Sequence, residues 1–331
     1  RLPKRQLTGR LLNLGSYYGL AALGALRLPR PDVVVAETDP PLLGVLGAVL
    51  KARWGCRFVY YCQDIYPEVA EITGGVRSRA LLRLLARGNR FAYRQADRII
   101  VLGDDMRQRL LQKGVDARTI AVLPNWVDCD IIRPIVSNPF RAQFGDRFVV
   151  MYSGNLGLSQ QLDTVLDAAD QLRDDPRIVF VFIGEGARKA ALQERGQQAD
   201  LSNVRFFPYA PKTKLAESLG AADLHLIPLQ AGLGGYLVPS KVHGVLAAGR
   251  PFIAMMDEDA AVAVLARAYR VGFVRPPGDA AALAQVVRDA LLRPAELKSM
   301  GLRARALAEQ QFHRPILTQR FSEIMAAVTR R

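Results

Sequence analysis

The hydrophobic positions of the chain fall into short apolar runs separated by longer stretches with helical spacing. The first half contains four such runs: VVVAE at 33, FVYY at 58, RIIVL at 98 and IAVLP at 120. None of them alternates with polar residues as a half-exposed strand does, so each predicts a buried strand of a parallel sheet. The helical stretches are long enough to cover both faces of that sheet. The pattern therefore predicts a doubly wound α/β architecture.

The alternation lapses at 125–147, which we interpret as an interdomain linker, and then restarts. The first half contains four predicted strands and the second half contains six, and the chain starts at Arg1 instead of Met. These observations predict an incomplete first domain. Its central strand is expected to precede Arg1. The second-half strands are predicted at 148–153, 178–183, 204–207, 224–229, 252–255 and 272–275.

Composition narrows the classes of partner. The chain has 331 residues, half of them hydrophobic, which is enough for two domains. A net charge of +14 indicates an anionic partner, which could be nucleic acid, an acidic membrane surface or a phosphorylated substrate. Nucleic acid is disfavoured because no recognition motif or aromatic platform is present. Cys56, Cys62 and Cys129 lack metal-ligand spacing, which indicates a reducing compartment and no metal site.

One uncharged stretch, 11–26, is long enough to raise the question of a membrane span. As a helix it would be about 24 Å long, shorter than the hydrocarbon core of roughly 30 Å. We therefore predict a buried or interfacial helix. His225, inside a predicted strand, and His243 are expected to be packed side chains.

Glycine-rich turns follow two consecutive strands of the second half. SGNLG (Ser153–Gly157) and GEG (Gly184–Gly186) would let backbone N–H groups approach an anion, which makes Gly154, Asn155 and Glu185 candidate ligand-binding residues. The alternative is a purely structural turn. After the next strand comes Phe207-Pro208-Tyr209, where a nucleotide base could lie against backbone and the Tyr209 ring.

The stretch GLGGYLVPSKVHG places Lys241 in the first turn of a predicted helix. A cation there faces the positive end of the helix dipole, at a cost of roughly 0.3–1 kcal/mol. A diphosphate bound beside Gly235, Ser240 and Lys241 would explain this placement, and a solvated surface lysine is the alternative. Because all these loops follow strands of one parallel sheet, we expect them at one edge, where nucleotides bind.

Asp64, in CQDIYPE, is the best candidate for chemistry in the first half. A carboxylate at the end of a strand could accept a hydrogen bond from an acceptor hydroxyl or act as a base. It could equally cap the turn before Pro67.

Five arginines form a stripe along one predicted helix: Arg79, Arg83, Arg87, Arg90 and Arg94. Their spacing of three or four residues places them on one face. The stripe is either a solvated helix face or an attachment surface for anionic phospholipid.

The ordered segments SGNLG, GEG, VRFFPYAP, AADLHLIPL and PSKVHGVLAAGRP resemble the donor domain of retaining GT-B glycosyltransferases of family 4. The nearest resemblance is to bacterial exopolysaccharide, colanic-acid and O-antigen transferases. PDVVVAETDPP, FVYYCQDIYPE, ADRIIVLGDDM and VLPNWVD resemble the acceptor domain of the same family. The resemblance implies two Rossmann-like domains facing across a cleft. The acceptor domain would be 1–130, completed by a C-terminal helix at 315–331, and the donor domain would be 131–314.

The implied reaction moves a sugar from a nucleotide-diphosphate sugar to a glycan or polyprenyl-diphosphate-linked acceptor. The resemblance implies no metal and no cofactor, and a cytoplasmic protein at the inner face of the cell membrane. Two glutamates found in many members correspond here to Tyr236 and Gly244, and a basic pair corresponds to Asn155 and the region of Ser159-Gln160. Lys241 would then carry most of the phosphate neutralisation. A sugar-nucleotide epimerase or phosphorylase and a non-catalytic nucleotide-binding subunit remain alternatives.

Overall fold

A computed structural model describes residues 7–330 as two compact units. Unit 1 consists of the chain up to Leu123 together with the residues from Phe321 onward, and unit 2 is Pro124–Arg320. All ten predicted strands are present, each with bounds within two residues of those expected. The two Rossmann-like parallel sheets confirm the predicted α/β fold class.

Unit 1 contains a four-stranded parallel sheet in the order β1-β2-β3-β4, so neighbours in sequence are neighbours in space. The ring of Phe321 lies 6.3 Å from that of Tyr61 in β2, so the end of the last helix packs on this sheet. The elements are α1 Leu7–Arg27, β1 Val33–Glu37, α2 Leu43–Trp54, β2 Arg57–Cys62, α3 Glu68–Ile72, α4 Arg79–Gln95, β3 Arg98–Val101, α5 Asp104–Gln112 and β4 Ile120–Val122.

Unit 2 contains a six-stranded parallel sheet in the order β10-β9-β8-β5-β6-β7. The elements are α6 Pro139–Ala142, β5 Phe148–Ser153, α7 Asp163–Asp170, β6 Ile178–Ile183, α8 Lys189–Gln198, β7 Val204–Phe207, α9 Leu215–Gly220, β8 Leu224–Pro228, α10 Lys241–Ala247, β9 Phe252–Met255, α11 Ala261–Ala268, β10 Gly272–Arg275, α12 Ala280–Leu291 and α13 Pro294–Leu307. The last helix, α14 Arg314–Thr329, contains the division between the units.

The strand order of unit 2 reverses beside β5, which pairs with β6 on one side and β8 on the other. In doubly wound sheets such a reversal opens a crevice at the carboxyl ends of the two strands concerned, and ligands bind there. The loops after β5 and β8 are SGNLG and the glycine-rich stretch leading to Lys241. The topology therefore places the predicted phosphate-binding segments at the reversal.

The apolar runs are continuous because helices cover both faces of the sheet. Val150, Tyr152, Phe180 and Phe182 belong to one buried cluster, which includes residues of α7 and α12. The alternate positions Val149, Met151, Val179 and Val181 belong to a second cluster on the opposite face. Successive side chains of a strand point to opposite faces, so a strand buried on both sides has no polar positions.

The segment 125–147, predicted as a linker, is part of unit 2 and carries α6. Val127 donates its N–H to Phe312 O at 2.9 Å and accepts from Arg314 N at 2.9 Å. The Arg305 guanidinium donates to the carbonyls of Cys129, Ile132 and Ala247 at 2.7–3.0 Å. These backbone contacts hold the segment against the unit, and a composition pattern does not reveal them.

Helix α1 is longer than predicted and its described side chains are largely exposed, so the buried alternative is wrong. Leu20 is 70% exposed and Leu23 is 55% exposed. Among the described residues, no helix is both long enough and apolar enough to cross a bilayer. The interfacial alternative stays a prediction.

His225 and His243 are buried, which confirms the prediction that they are packed. Burial lowers the pKa of each to about 4. His225 Nε2 lies 2.8 Å from Leu219 O and His243 Nδ1 lies 2.9 Å from Ser240 O, so both rings are neutral hydrogen-bonding groups of the core. The three cysteines are buried and free.

Candidate functional site

The glycine turns after β5 and β6 are joined by backbone hydrogen bonds. Gly154 N donates to Ile183 O at 2.9 Å, and Leu156 N donates to Glu185 O at 2.9 Å. The GEG turn is tied in the same way to the next strand, since Gly184 N donates to Phe207 O at 3.0 Å. The predicted segments SGNLG, GEG and FPY therefore lie side by side at the carboxyl edge of the sheet.

Gly184 and Gly186 are required at these turns for reasons of space as well as conformation. Their φ angles are +147° and +159°. A Cβ at Gly184 would overlap Gly154 O, and one at Gly186 would overlap Leu156 O. The two turns are thus packed backbone against backbone, at a distance that only glycine allows.

Lys241 reaches from the start of α10 to the end of β5. Its Nζ lies 2.5 Å from the Tyr152 hydroxyl and 4.0 Å from the centroid of the Tyr152 ring. The nearest atom to a Cβ built at Gly154 would be Lys241 Nζ, at 2.9 Å. Tyr152, Gly154 and Lys241 therefore form one group, the lysine cluster, and Lys241 is not the solvated surface lysine of the alternative interpretation.

The ammonium of Lys241 has an unusual environment. Burial lowers its pKa to about 7. The residue as a whole is only partly buried, but the ammonium group is the part enclosed by protein. No carboxylate of the described chain pairs with it. The two cations after the GEG turn do have carboxylate partners. Arg188 forms an ion pair with Asp163 at 2.6 Å, and Lys189 forms one with Glu185 at 2.6 Å.

The far end of the same edge is aromatic. Phe207, Pro208 and Tyr209 line a cavity of about 240 Å³ together with Phe140 of α6. Tyr209 is half-exposed, and its hydroxyl lies 3.5 Å from Glu185 O, beside the GEG turn. This cavity is large enough to take part of a flat heterocycle against an aromatic wall.

The remaining predicted donor residues lie around these groups. Asn155 is exposed, and its carbonyl accepts a hydrogen bond from Tyr152 at 2.6 Å. Gly235 is buried with φ +78°, and Ser240 is exposed just before α10, where its side chain makes no capping hydrogen bond. Asp257, after β9, accepts from Gly232 N at 2.8 Å and so holds the glycine-rich loop.

In unit 1, Asp64 follows β2 as predicted. Thr38, buried at the end of β1, accepts the N–H groups of Gln63 and Asp64, both at 3.0 Å. The turn after β2 is therefore held by the Thr38 hydroxyl. Burial, together with the negative charge of Asp39, raises the pKa of the Asp64 carboxyl to about 6. A carboxyl with that pKa is suited to exchange a proton near neutral pH.

The arginine stripe is exposed along its whole length on α4. None of its five guanidinium groups is ion-paired with a carboxylate in the described part of the chain. Leu81, Leu84 and Phe91 of the same helix are also exposed, at 42%, 57% and 44%. The helix thus presents basic and apolar groups together to solvent.

The comparisons with known proteins agree with this geometry. Residues 1–126 match the model of the glycosyl transferase 4-like domain, and residues 137–307 match that of glycosyl transferases group 1. A probable glycosyltransferase, WbjE of Pseudomonas aeruginosa, is 29% identical over 89% of this chain and 74% of its own. The putative colanic acid biosynthesis glycosyl transferase WcaI of Escherichia coli is 28% identical over 88% and 75%.

Solved structures share the fold. HepE of Anabaena in complex with UDP-glucose matches with a TM-score of 0.77 at 19% identity, covering 95% of this chain and 84% of its own. WaaG, a glycosyltransferase involved in lipopolysaccharide biosynthesis, matches with a TM-score of 0.71 at 18% identity, covering 96% and 84%. The group 1 model covers more than half of the sequence and includes the whole carboxyl edge described above. The chain belongs to the glycosyl transferases group 1 family.

Proposed function

We propose that this glycosyltransferase takes a sugar from a nucleotide-diphosphate donor, bound at the carboxyl edge of unit 2, and transfers it with retention of configuration. The observation that carries the proposal is the Lys241 ammonium, which is enclosed, lies against the SGN turn and has no carboxylate partner among the described residues. An enclosed cation without a counter-ion is costly for a fold and is accounted for by a ligand that brings the negative charge.

The order of the loops supports a nucleotide in an extended conformation. Along the sheet edge come the lysine cluster after β8 and β5, the GEG turn after β6, and the aromatic cavity after β7. A diphosphate, a ribose and a base follow one another in the same order. We place the diphosphate near Gly154, Ser240 and Lys241, and the base near Tyr209.

Calorimetry with UDP, GDP, ADP and dTDP tests the donor site. Lys241→Ala should weaken binding of the preferred nucleotide by about ten- to a hundredfold, because hydrogen bonds to charged groups contribute about 1.5–3 kcal/mol. Lys189→Ala is the matched control: its ammonium is paired with Glu185, so binding should not change. Equal binding by the Lys241 variant and the wild type, or a loss confined to the Lys189 variant, would place the diphosphate elsewhere.

We infer that Asp64 acts in unit 1 by accepting the proton of the attacking acceptor hydroxyl. Its position after β2 and its raised pKa support this role. The proposed retention of configuration follows from the resemblance to retaining family 4 enzymes. It is tested by the anomeric configuration of the product, determined by NMR from a donor of known configuration; an inverted product contradicts it.

The acceptor is proposed to be a glycan or a polyprenyl-diphosphate-linked sugar of cell-surface polysaccharide synthesis, as the names of the relatives suggest. Incubation of the protein with nucleotide sugars and such acceptors, read out as released nucleotide and glycosylated product, tests this. Binding without transfer would favour the non-catalytic subunit. Conversion of the sugar nucleotide without acceptor would favour an epimerase.

We further propose that α4 attaches the protein to an anionic membrane surface, as expected for an enzyme at the inner face of the cell membrane. Each basic residue near such a surface contributes about 1 kcal/mol, and the exposed apolar groups of α4 can enter the interface. Arg83→Glu, Arg87→Glu and Arg90→Glu together should lower binding to anionic vesicles by about a hundredfold.

The control for this surface is an equal change of charge elsewhere. Arg133, Lys212 and Lys298 are exposed residues of unit 2, and their replacement by Glu should leave most vesicle binding intact. If both triple variants lose binding equally, net charge alone is responsible. If the wild type ignores anionic vesicles at low salt, α4 is a solvated face.

A further inference from the structure

Tyr152 lies in the wall of the candidate donor site, and the function described above gives it no role. It is the penultimate residue of β5, and its side chain is fully buried. Its hydroxyl donates to Asn155 O at 2.6 Å and lies 2.5 Å from Lys241 Nζ. The phenol therefore bridges the SGN turn and the lysine.

We propose that Tyr152 is a positioning residue for donor binding: it holds the Lys241 side chain in its charged form, aimed at the diphosphate position beside Gly154. The inference rests on the proposed nucleotide-diphosphate site and assigns a second residue to its machinery. Tyr152 acts through the Lys241 ammonium, without contacting the reacting atoms.

The direction of the two hydrogen bonds supports this role. The single hydroxyl proton is used by Asn155 O, so the phenol oxygen can only accept from Lys241. A phenol oxygen and the face of an aromatic ring both favour an ammonium over a neutral amine. They oppose the burial of the amine, and they leave other ammonium protons free to reach a ligand.

The geometry also fixes where the charge lies. Nζ is 4.0 Å from the centroid of the Tyr152 ring and would be 2.9 Å from a Cβ at Gly154. Since Gly154 has no side chain, the ammonium can approach the backbone of the SGN turn closely. Without the phenol oxygen, Lys241 loses the contact that ties it to this turn.

The test uses Tyr152→Phe, which keeps the ring and removes only the hydroxyl. The probe is whichever of UDP, GDP, ADP and dTDP binds the wild type most tightly. At pH 8.5 the variant should bind it about tenfold more weakly, because loss of the acceptor lowers the pKa of the lysine and leaves a smaller fraction of it charged. At pH 6, where the ammonium persists in both proteins, the difference should shrink to about threefold or less.

Two comparisons separate positioning from a merely structural effect. In a Lys241→Ala background, Tyr152→Phe should have no further effect on affinity, because its action passes through the lysine. Tyr60→Phe, which removes another buried phenol hydroxyl, one that donates to Asn89 in unit 1, should leave nucleotide affinity unchanged. The phosphates of the nucleotide also titrate between pH 6 and 8.5, but this affects the variant and the wild type equally. It therefore does not change the ratio of their affinities at one pH.

A loss of affinity that is the same at pH 6 and 8.5, or that persists in the Lys241→Ala background, would overturn the positioning role. So would no loss at all. If Lys241→Ala alone binds like the wild type, the proposed donor site fails independently of Tyr152. Should Tyr152→Phe not fold, 3-fluorotyrosine at position 152, whose oxygen is a weaker acceptor, provides the same comparison between the two pH values.

Discussion

Replacing Lys241 with Met should stabilise the ligand-free protein at neutral pH. The ammonium is enclosed by protein, and no described carboxylate compensates it, so folding must either neutralise it or bury its charge. Methionine has a similar length and can pack its thioether against the Tyr152 ring, where the ammonium now lies 4.0 Å from the ring centroid. The substitution therefore removes the free-energy cost of enclosing a charge and keeps most of the side-chain packing.

The size and the sign of the effect follow from the two pKa values. The pKa of Lys241 is about 7 in the folded protein against an ordinary value of 10.5. The free-energy equivalent of this difference is about 5 kcal/mol as an upper bound, and about 2–4 kcal/mol once partial exposure of the residue is considered. Below pH 7 both states hold the proton, and the wild type bears the full cost.

Between pH 7 and 10.5 the unfolded chain binds more protons than the folded one, so wild-type stability rises with pH and the cost disappears. Urea denaturation of wild type and Lys241→Met at pH 6, 8 and 9.5 measures this. The advantage of the variant should be largest at pH 6. Lys189→Met, in which a lysine paired with Glu185 is replaced, should show no such dependence.

Saturating nucleotide diphosphate should reverse the order, because only the wild type gains the charge pair and binding adds to folding stability. A Lys241→Met variant that is less stable than the wild type at pH 6 without ligand would contradict a buried, uncompensated charge at this position. So would a difference in stability between the two proteins that does not change with pH.

Three further changes test other parts of the structure. Gly184→Ala should lower the free energy of unfolding by about 2–4 kcal/mol and disrupt nucleotide binding, because the new Cβ would overlap Gly154 O. Gly278→Ala is the control: at φ +80° with open space around it, it should lower the free energy of unfolding by only about 1 kcal/mol. Asp64→Asn should lower turnover at least about tenfold and remove the rise in activity through pH 6 that ionisation of this carboxyl predicts; an unchanged profile contradicts the proposed base. Asp223→Asn should destabilise unit 2 by about 1–3 kcal/mol, since Asp223 accepts from Val149 N at 2.8 Å and pairs with Arg141, and a smaller change would show that the pair is solvated.

The fold was predictable from the sequence because a strand buried on both faces has a simple signature. β5 and β6 are apolar at every position up to Ser153, and glycine turns mark where they end. The segment 125–147 was misjudged for the opposite reason. Its packing comes from backbone bonds to Phe312 and Arg314, nearly two hundred residues away in sequence, and a local pattern contains no trace of such partners.

The candidate site was predictable only where chain order determines position. SGNLG, GEG and Lys241 follow neighbouring strands, so a parallel sheet brings them to one edge. Tyr152 and Thr38 were missed. Tyr152 lies within an apolar run and has the sequence signature of a core residue, and Thr38 precedes the Asp-Pro-Pro of a loop. Their roles depend on the groups that each hydroxyl contacts: backbone N–H groups of the next loop for Thr38, and a backbone carbonyl and the Lys241 ammonium for Tyr152.

Lys241 shows how a cost in the fold can indicate a function. Two cations after the GEG turn, Arg188 and Lys189, are neutralised by carboxylates of the chain itself. Lys241 instead meets a phenol oxygen and a ring face, which tolerate its charge without cancelling it. A carboxylate at this position would stabilise the empty protein and would compete with a phosphate for the same ammonium. The Lys241 charge is therefore uncompensated in the empty protein and is paired only when an anion binds. The free energy that the fold loses by enclosing this charge is recovered in the affinity for the anion.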